Sequence, residues 1–191
     1  MNYKRKIFVQ PEIDGQDFED CVFEHCKFTD LNFKFNNFKN CIFKNCDFSG
    51  SLFDSVGLSE CKFPDSKLSF SDFGNVNLFN CNFSGSVMEN CIFQKLKGGS
   101  KNDRKIFDLR NCNFENVYLT GSVFVMCNLN EISFNKSILE NVVFERCDLE
   151  KTDFNECKLE GTGFTDCKIK ATILDMNGFI SFGVSKGFTL K

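Results

Sequence analysis

The 191-residue chain has no tryptophan, one histidine and two prolines, and its two tyrosines stand against 26 phenylalanines. With His25 alone, no Ser-His-Asp or Cys-His catalytic set can be assembled unless another base substitutes, and a His-rich metal site is excluded. No apolar run approaches the ~20 residues of a membrane span. Behind the basic Lys4, Arg5 and Lys6 come only Ile7, Phe8 and Val9, too few for the apolar stretch of a secretory signal. The expectation is a cytoplasmic protein, not attached to a membrane, whose twelve cysteines are thiols. Neither a P-loop nor a dinucleotide glycine fingerprint is present. An excess of one charge is also missing: 23 Lys and Arg against 26 Asp and Glu leave a net of -3, which argues against direct nucleic-acid binding. A hydrophobic fraction of 42% is too high for a disordered chain.

What is abundant recurs at a fixed interval. Every fifth residue from Phe18 to Phe93 is Phe, Leu or Met, sixteen in succession. The register then slips by one position and resumes from Leu109 to Leu174, adding fourteen more large apolar residues. Two positions before these centres lies a second series of mostly small residues, and it contains every cysteine of the chain; the misfits are Gln16, Leu31, Asn36, Phe107 and Ile132. Residues two apart in extended chain face the same side, so centre and small residue both point inward. A period of five is odd, so a straight strand would send alternate centres outward, and helical periods fit no better. The chain must therefore bend once per quintet. The inward placement reads the cysteines as small buried hydrophobes, not as metal or redox groups. His25, two residues after a centre, is expected to face solvent.

Stretches such as Cys41-Ile42-Phe43-Lys44-Asn45 and Cys46-Asp47-Phe48-Ser49-Gly50 resemble the pentapeptide repeat family. That resemblance implies an all-β fold, a right-handed quadrilateral β-helix with four quintets per turn, in which residues 20 apart stack on one wall. Thirty quintets then make about 7.5 coils and a rod roughly 36 Å long. Cys21, Cys41, Cys61 and Cys81 would form one column, and Cys127, Cys147 and Cys167 another.

Residues 94–108 break the repeat and carry a net of +3 on an otherwise acidic rod. They are expected to form a projecting loop, with Lys95, Leu96, Lys97, Lys101, Asp103, Arg104 and Lys105 as candidate partner-binding residues. The expected organisation is an N-terminal cap at 1–17, using Ile7, Phe8, Val9 and Ile13, coils at 18–93 and 109–174, and a C-terminal segment at 175–191. That last segment carries Phe179, Ile180, Phe182, Val184, Phe188 and Leu190 and is expected both to cap the stack and to join two copies.

A filled shaft leaves no cleft for catalysis or for a cofactor, so function must lie on the outer walls. One wall displays Phe35, Leu52, Ile92, Val123, Val125, Met126 and Val143, a candidate contact surface. Another carries Asp17, Glu19, Asp20, Glu60, Asp108, Glu131, Asp148 and Glu150, interrupted by Lys39, Arg110, Lys151, Lys168 and Lys170. The Phe-rich centres, the single mid-chain loop and the apolar C-terminal segment are similar to the quinolone-resistance (Qnr-type) branch of the family. This similarity implies a bacterial homodimer that binds DNA gyrase or topoisomerase IV, partly by DNA-like shape, and protects it from quinolones. The alternative is a structural interaction module with a different protein partner, since a fold alone does not fix function.

Overall fold

The computed structural model describes residues 1–95, 105–189 and 191. Short parallel strands stack as a right-handed quadrilateral β-helix of about eight turns. Pairing runs between residues 20 apart, as in Phe23 with Phe43 and Phe38 with Leu58. Across the break the offset becomes 31, as in Ile92 with Val123 and Phe93 with Phe124, so the insertion adds eleven residues to one turn and the coil resumes on the next wall.

The bend in nearly every quintet is a residue in the left-handed region two positions after the centre, Asn75 and Asn111 being exceptions. Asp20, His25, Asp30, Asn40 and Asn45 have φ between 50° and 57°. Asn, Asp and Gly tolerate this conformation best, which accounts for their frequency at the corners. Gly50, at φ 74°, has a further reason to be glycine, because a Cβ there would run into the Asp30 carboxylate.

Inside, the centres form columns of parallel rings. Phe93 and Phe124 lie 4.4 Å apart at 2°, and Phe134 and Phe154 lie 5.3 Å apart at 0°. Rings of neighbouring walls meet edge to face, as in Phe114 and Phe124 at 86°, an arrangement the aromatic quadrupole favours. The small inward residues also donate hydrogen bonds. Cys61 Sγ reaches the Phe38 carbonyl oxygen of the coil below at 3.3 Å, Ser66 Oγ that of Phe43 at 2.6 Å and Thr152 Oγ1 that of Leu129 at 2.8 Å. Cysteine, serine and threonine share this job, which apolar small residues cannot do. Burial holds the Cys81 and Cys91 thiols up at about 12, so they stay protonated donors.

The first 17 residues extend the coil where a separate cap was expected. Asn2–Lys4 pairs with Val22–Glu24, Tyr3 stacks on Phe23 at 5.0 Å, and Phe8 stacks on Phe28 at 4.5 Å. Tyr3, Phe8 and Ile13 thus carry the five-residue register back to the start, while Ile7 and Val9 are exposed. Ile13 ends the short helix α1 (Gln10–Ile13), which replaces one strand of this coil. There the Gln10 amide imitates a peptide group: Oε1 accepts from the Asn32 N–H and Nε2 donates to the Asn32 carbonyl, both at 2.9 Å. Asn36, a misfit in the sequence pattern, is buried and donates to the Ile13 and Gln16 carbonyls at 2.7 and 2.8 Å.

At the other end, helix α2 (Met176–Ser185) lies on the last turn. Asp175 caps it by accepting the Gly178 N–H at 2.7 Å, Phe182 meets Phe164 edge to face at 5.5 Å, and Lys186 Nζ donates to the Phe164 carbonyl at 2.7 Å. Ile169, an expected core centre, is 45% exposed: it belongs to the last layer, with no further coil above it. Leu174 is only partly buried for the same reason.

Candidate interaction surface

Four columns of centres define four walls, beginning with Tyr3, Phe8, Ile13 and Phe18. The third wall continues through Phe33, Phe53, Phe73, Phe93, Phe124, Phe144 and Phe164. Its outward column brings Ile92, Val123 and Val143 into register on consecutive coils. Leu52 lies two coils below Ile92, with Asp72 between them. Val125 pairs with Glu145 one coil above. Phe35 and Met126 sit at one corner of this wall, both with left-handed backbone. Leu52, Ile92, Val143 and Phe35 are exposed, whereas Val123, Val125 and Met126 are half-buried. The sequence reading missed Phe70, exposed at the other corner of the same wall with φ 65°; its signal was a bulky ring at a position where other coils carry Asp, Asn or Gly.

Most carboxylates of the fourth wall, acidic in the sequence, prove to be paired, Asp17, Asp20 and Glu60 being without an ion pair among the described residues. Lys39 meets Glu19 at 2.7 Å, Lys151 meets Glu131 at 2.7 Å, and Arg110 meets Asp108 at 2.7 Å. Lys168 and Lys170 converge on Glu150 at 2.6 and 3.0 Å, and these lysines hold its carboxyl down at about 2. Most of these lysines lie one coil above their partner, so the register that stacks the rings also sets opposite charges side by side. Asp17 spends its carboxylate on the Asn37 N–H at 2.7 Å.

Of the insertion, Leu96, Lys97, Lys101, Asp103 and Arg104 lie outside the described residues, as does Leu190 of the C-terminal segment. Lys105 is exposed. Lys95 turns into the wall: its ammonium donates to the Val76 carbonyl at 2.6 Å and stands 4.5 Å from the centre of the Phe107 ring. Desolvation, followed by the nearby Lys105 charge, lowers its pKa. Lys95 is therefore bound to the rod, and a role as a free partner-binding cation does not fit this geometry.

On α2, Phe182 faces the last coil, while Phe179, Val184 and Phe188 are exposed. With Ile180 and Phe182 they line a groove of about 330 Å³ between the helix and the residues that follow it.

The family profile described as Pentapeptide repeats (9 copies) matches residues 18–62, and that described as Pentapeptide repeats (8 copies) matches 57–94, 107–135 and 127–166. The chain belongs to the pentapeptide repeat family. Among solved structures, this pentapeptide repeat protein is similar to a trypsin-treated variant of QnrB1, a plasmid-mediated fluoroquinolone resistance protein. The TM-score is 0.51 at 14% identity, over 100% of this chain and 99% of that one. It is also similar to HetL, a pentapeptide repeat protein involved in heterocyst differentiation regulation in the cyanobacterium Nostoc, with a TM-score of 0.40 at 13% identity over 93% and 88% of the two chains. No curated protein matches the pentapeptide repeat chain at the level of sequence.

Proposed function

We propose that the protein is a non-enzymatic interaction rod that binds a type II topoisomerase, DNA gyrase or topoisomerase IV, and protects it from quinolones. The observation that carries this reading is the end-to-end likeness to a fluoroquinolone resistance protein, over the whole of both chains. The filled shaft supports a surface role, because binding must then use the outer walls or the insertion. In this reading the protein acts in the cytoplasm beside its target, as a homodimer joined through the outer face of α2. The rod offers DNA-like shape, but the ion pairs of the fourth wall remove most of its DNA-like charge. Contact is therefore assigned to the insertion and the apolar third wall.

The test is a gyrase supercoiling assay in the presence of a quinolone. Added protein should restore supercoiling, and deletion of Leu96 to Lys105 should abolish the rescue while leaving the thermal transition of the rod in place. No rescue at any protein concentration would remove the topoisomerase reading. The neutralised fourth wall favours the second reading in that event, a structural interaction module whose partner is another protein.

A further inference from the structure

Phe70 is 77% exposed and Phe35 66% exposed, each on left-handed backbone at a corner of the third wall. In the corner column of Phe70 the other coils carry Asp30, Gly50, Asn90, Gly121, Asn141 and Gly161, all residues that accept this conformation more easily. A bulky ring at such a corner strains the backbone and is largely left out of the core, the combination expected where binding rather than packing selects the residue.

Leu52, Phe70, Ile92, Val123 and Val143 occupy five consecutive coils along one edge of the wall. At ~4.8 Å per coil the stripe is about 19 Å long, the length of roughly 13 helical residues, and the coil spacing lies near the ~5.4 Å helical pitch. Asp72 lies within it, in the outward column between Leu52 and Ile92, and its borders carry Asp54, Glu89, Glu140 and Glu145. Among the described residues only Glu145 of these five has an ion-pair partner, Arg146 at 3.7 Å.

We infer that this stripe docks a basic amphipathic helix of a protein partner, lying along the rod axis with its apolar side chains over successive coils. The inference rests on the reading of the third wall as the contact surface. Added strands do not fit, because the backbone groups of this wall already pair from coil to coil. Anionic lipid or nucleic acid would meet the bordering carboxylates.

Fluorescence anisotropy on the full chain tests it. The probe is a labelled Leu/Lys helix of about 14 residues with leucines at i, i+3, i+4 and i+7. Comparators are a Leu/Glu helix of the same pattern and a Leu/Lys peptide scrambled to remove the apolar face. The Leu/Lys helix should bind at least about tenfold more tightly than either comparator, and Phe70→Asn and Ile92→Thr should each weaken it at least about fivefold. Asn suits the corner, so Phe70→Asn keeps the fold, which its melting temperature checks. Equal binding of either comparator, or wild-type affinity in both variants, would overturn the inference. A protein that binds the helix without rescuing gyrase loses the topoisomerase reading alone; one that rescues gyrase without binding the helix loses the stripe alone.

Discussion

The Lys95 ammonium stitches the coil to the Val76 carbonyl, at 2.6 Å, beside the insertion. Three walls carry their hydrogen bonds across the insertion: Phe83 N–H to the Asn113 carbonyl at 2.9 Å, Met88 N–H to Tyr118 at 2.7 Å, and Val123 N–H to Cys91 at 2.9 Å. On the fourth, no backbone bond joins residues 76–80 to 107–111. The Val76 carbonyl takes the Lys95 ammonium, and the Phe107 ring lies beneath that charge. Lys95→Met keeps the stem and removes the donor. It should cost about 1–2 kcal/mol and expose the chain after the buried Phe107 to chymotrypsin, with Lys95→Arg restoring resistance. Unchanged cleavage after Phe107 in the Met variant would contradict the stitch.

The inward hydroxyls should not be equivalent. Ser66 Oγ donates to the Phe43 carbonyl and accepts the Cys46 N–H at 2.8 Å, whereas the buried Ser71 Oγ has no partner among the described residues. Ser66→Ala strands two buried backbone groups and should cost about 1–3 kcal/mol, while Ser71→Ala should be near neutral. Urea titration of the two variants measures the difference.

The stacked shaft sets a larger scale. Phe124 lies between Phe93 and Phe144, with ring centres at 4.4 and 5.1 Å. Phe124→Ala should destabilise by about 3–5 kcal/mol, against about 0.5 kcal/mol or less for the outward Lys44→Ala. Equal losses would contradict the division into inward and outward positions.

The fourth wall should show itself in acid. Lys168 and then Lys170 depress the Glu150 carboxyl to about 2, from an ordinary value of 4.5. A carboxyl whose folded pKa is depressed stabilises the protein above its unfolded value, and that contribution disappears as pH falls through the folded one. The melting temperature should therefore drop between about pH 5 and pH 2, and Glu150→Gln should flatten part of that slope. Identical slopes in both proteins would remove Glu150 as a contributor.

The outer face of α2 predicts assembly. Val184→Asp or Phe188→Asp places a carboxylate in the exposed apolar groove and should convert a dimer to a monomer in light scattering, leaving the rod transition intact. A wild-type chain that is already monomeric at high concentration would discard the dimer.

The five-residue spacing alone decided that Phe23, Phe83 and Phe144 are interior and that the chain bends once per quintet, because that period leaves no other way to keep every centre on one side. The same spacing runs back through Ile13, Phe8 and Tyr3, where the sequence reading placed a cap and the structure places a further coil. The apolar third wall could be listed from the phase of its residues, since an offset of 20 is a property of the repeat.

Whether acidic residues stay available was a different matter. Glu19 and Lys39 lie far apart in sequence, and only the stacking of coils brings their charges to 2.7 Å. Lys95 reads as a solvent-facing cation in a basic loop, and its inward turn to the Val76 carbonyl and the Phe107 ring shows only once the coils are stacked. Local spacing therefore determined the shaft, where every coil repeats one geometric rule. The accessible chemistry of the surface was decided in three dimensions, because charge neutralisation and exposure depend on neighbours from other coils.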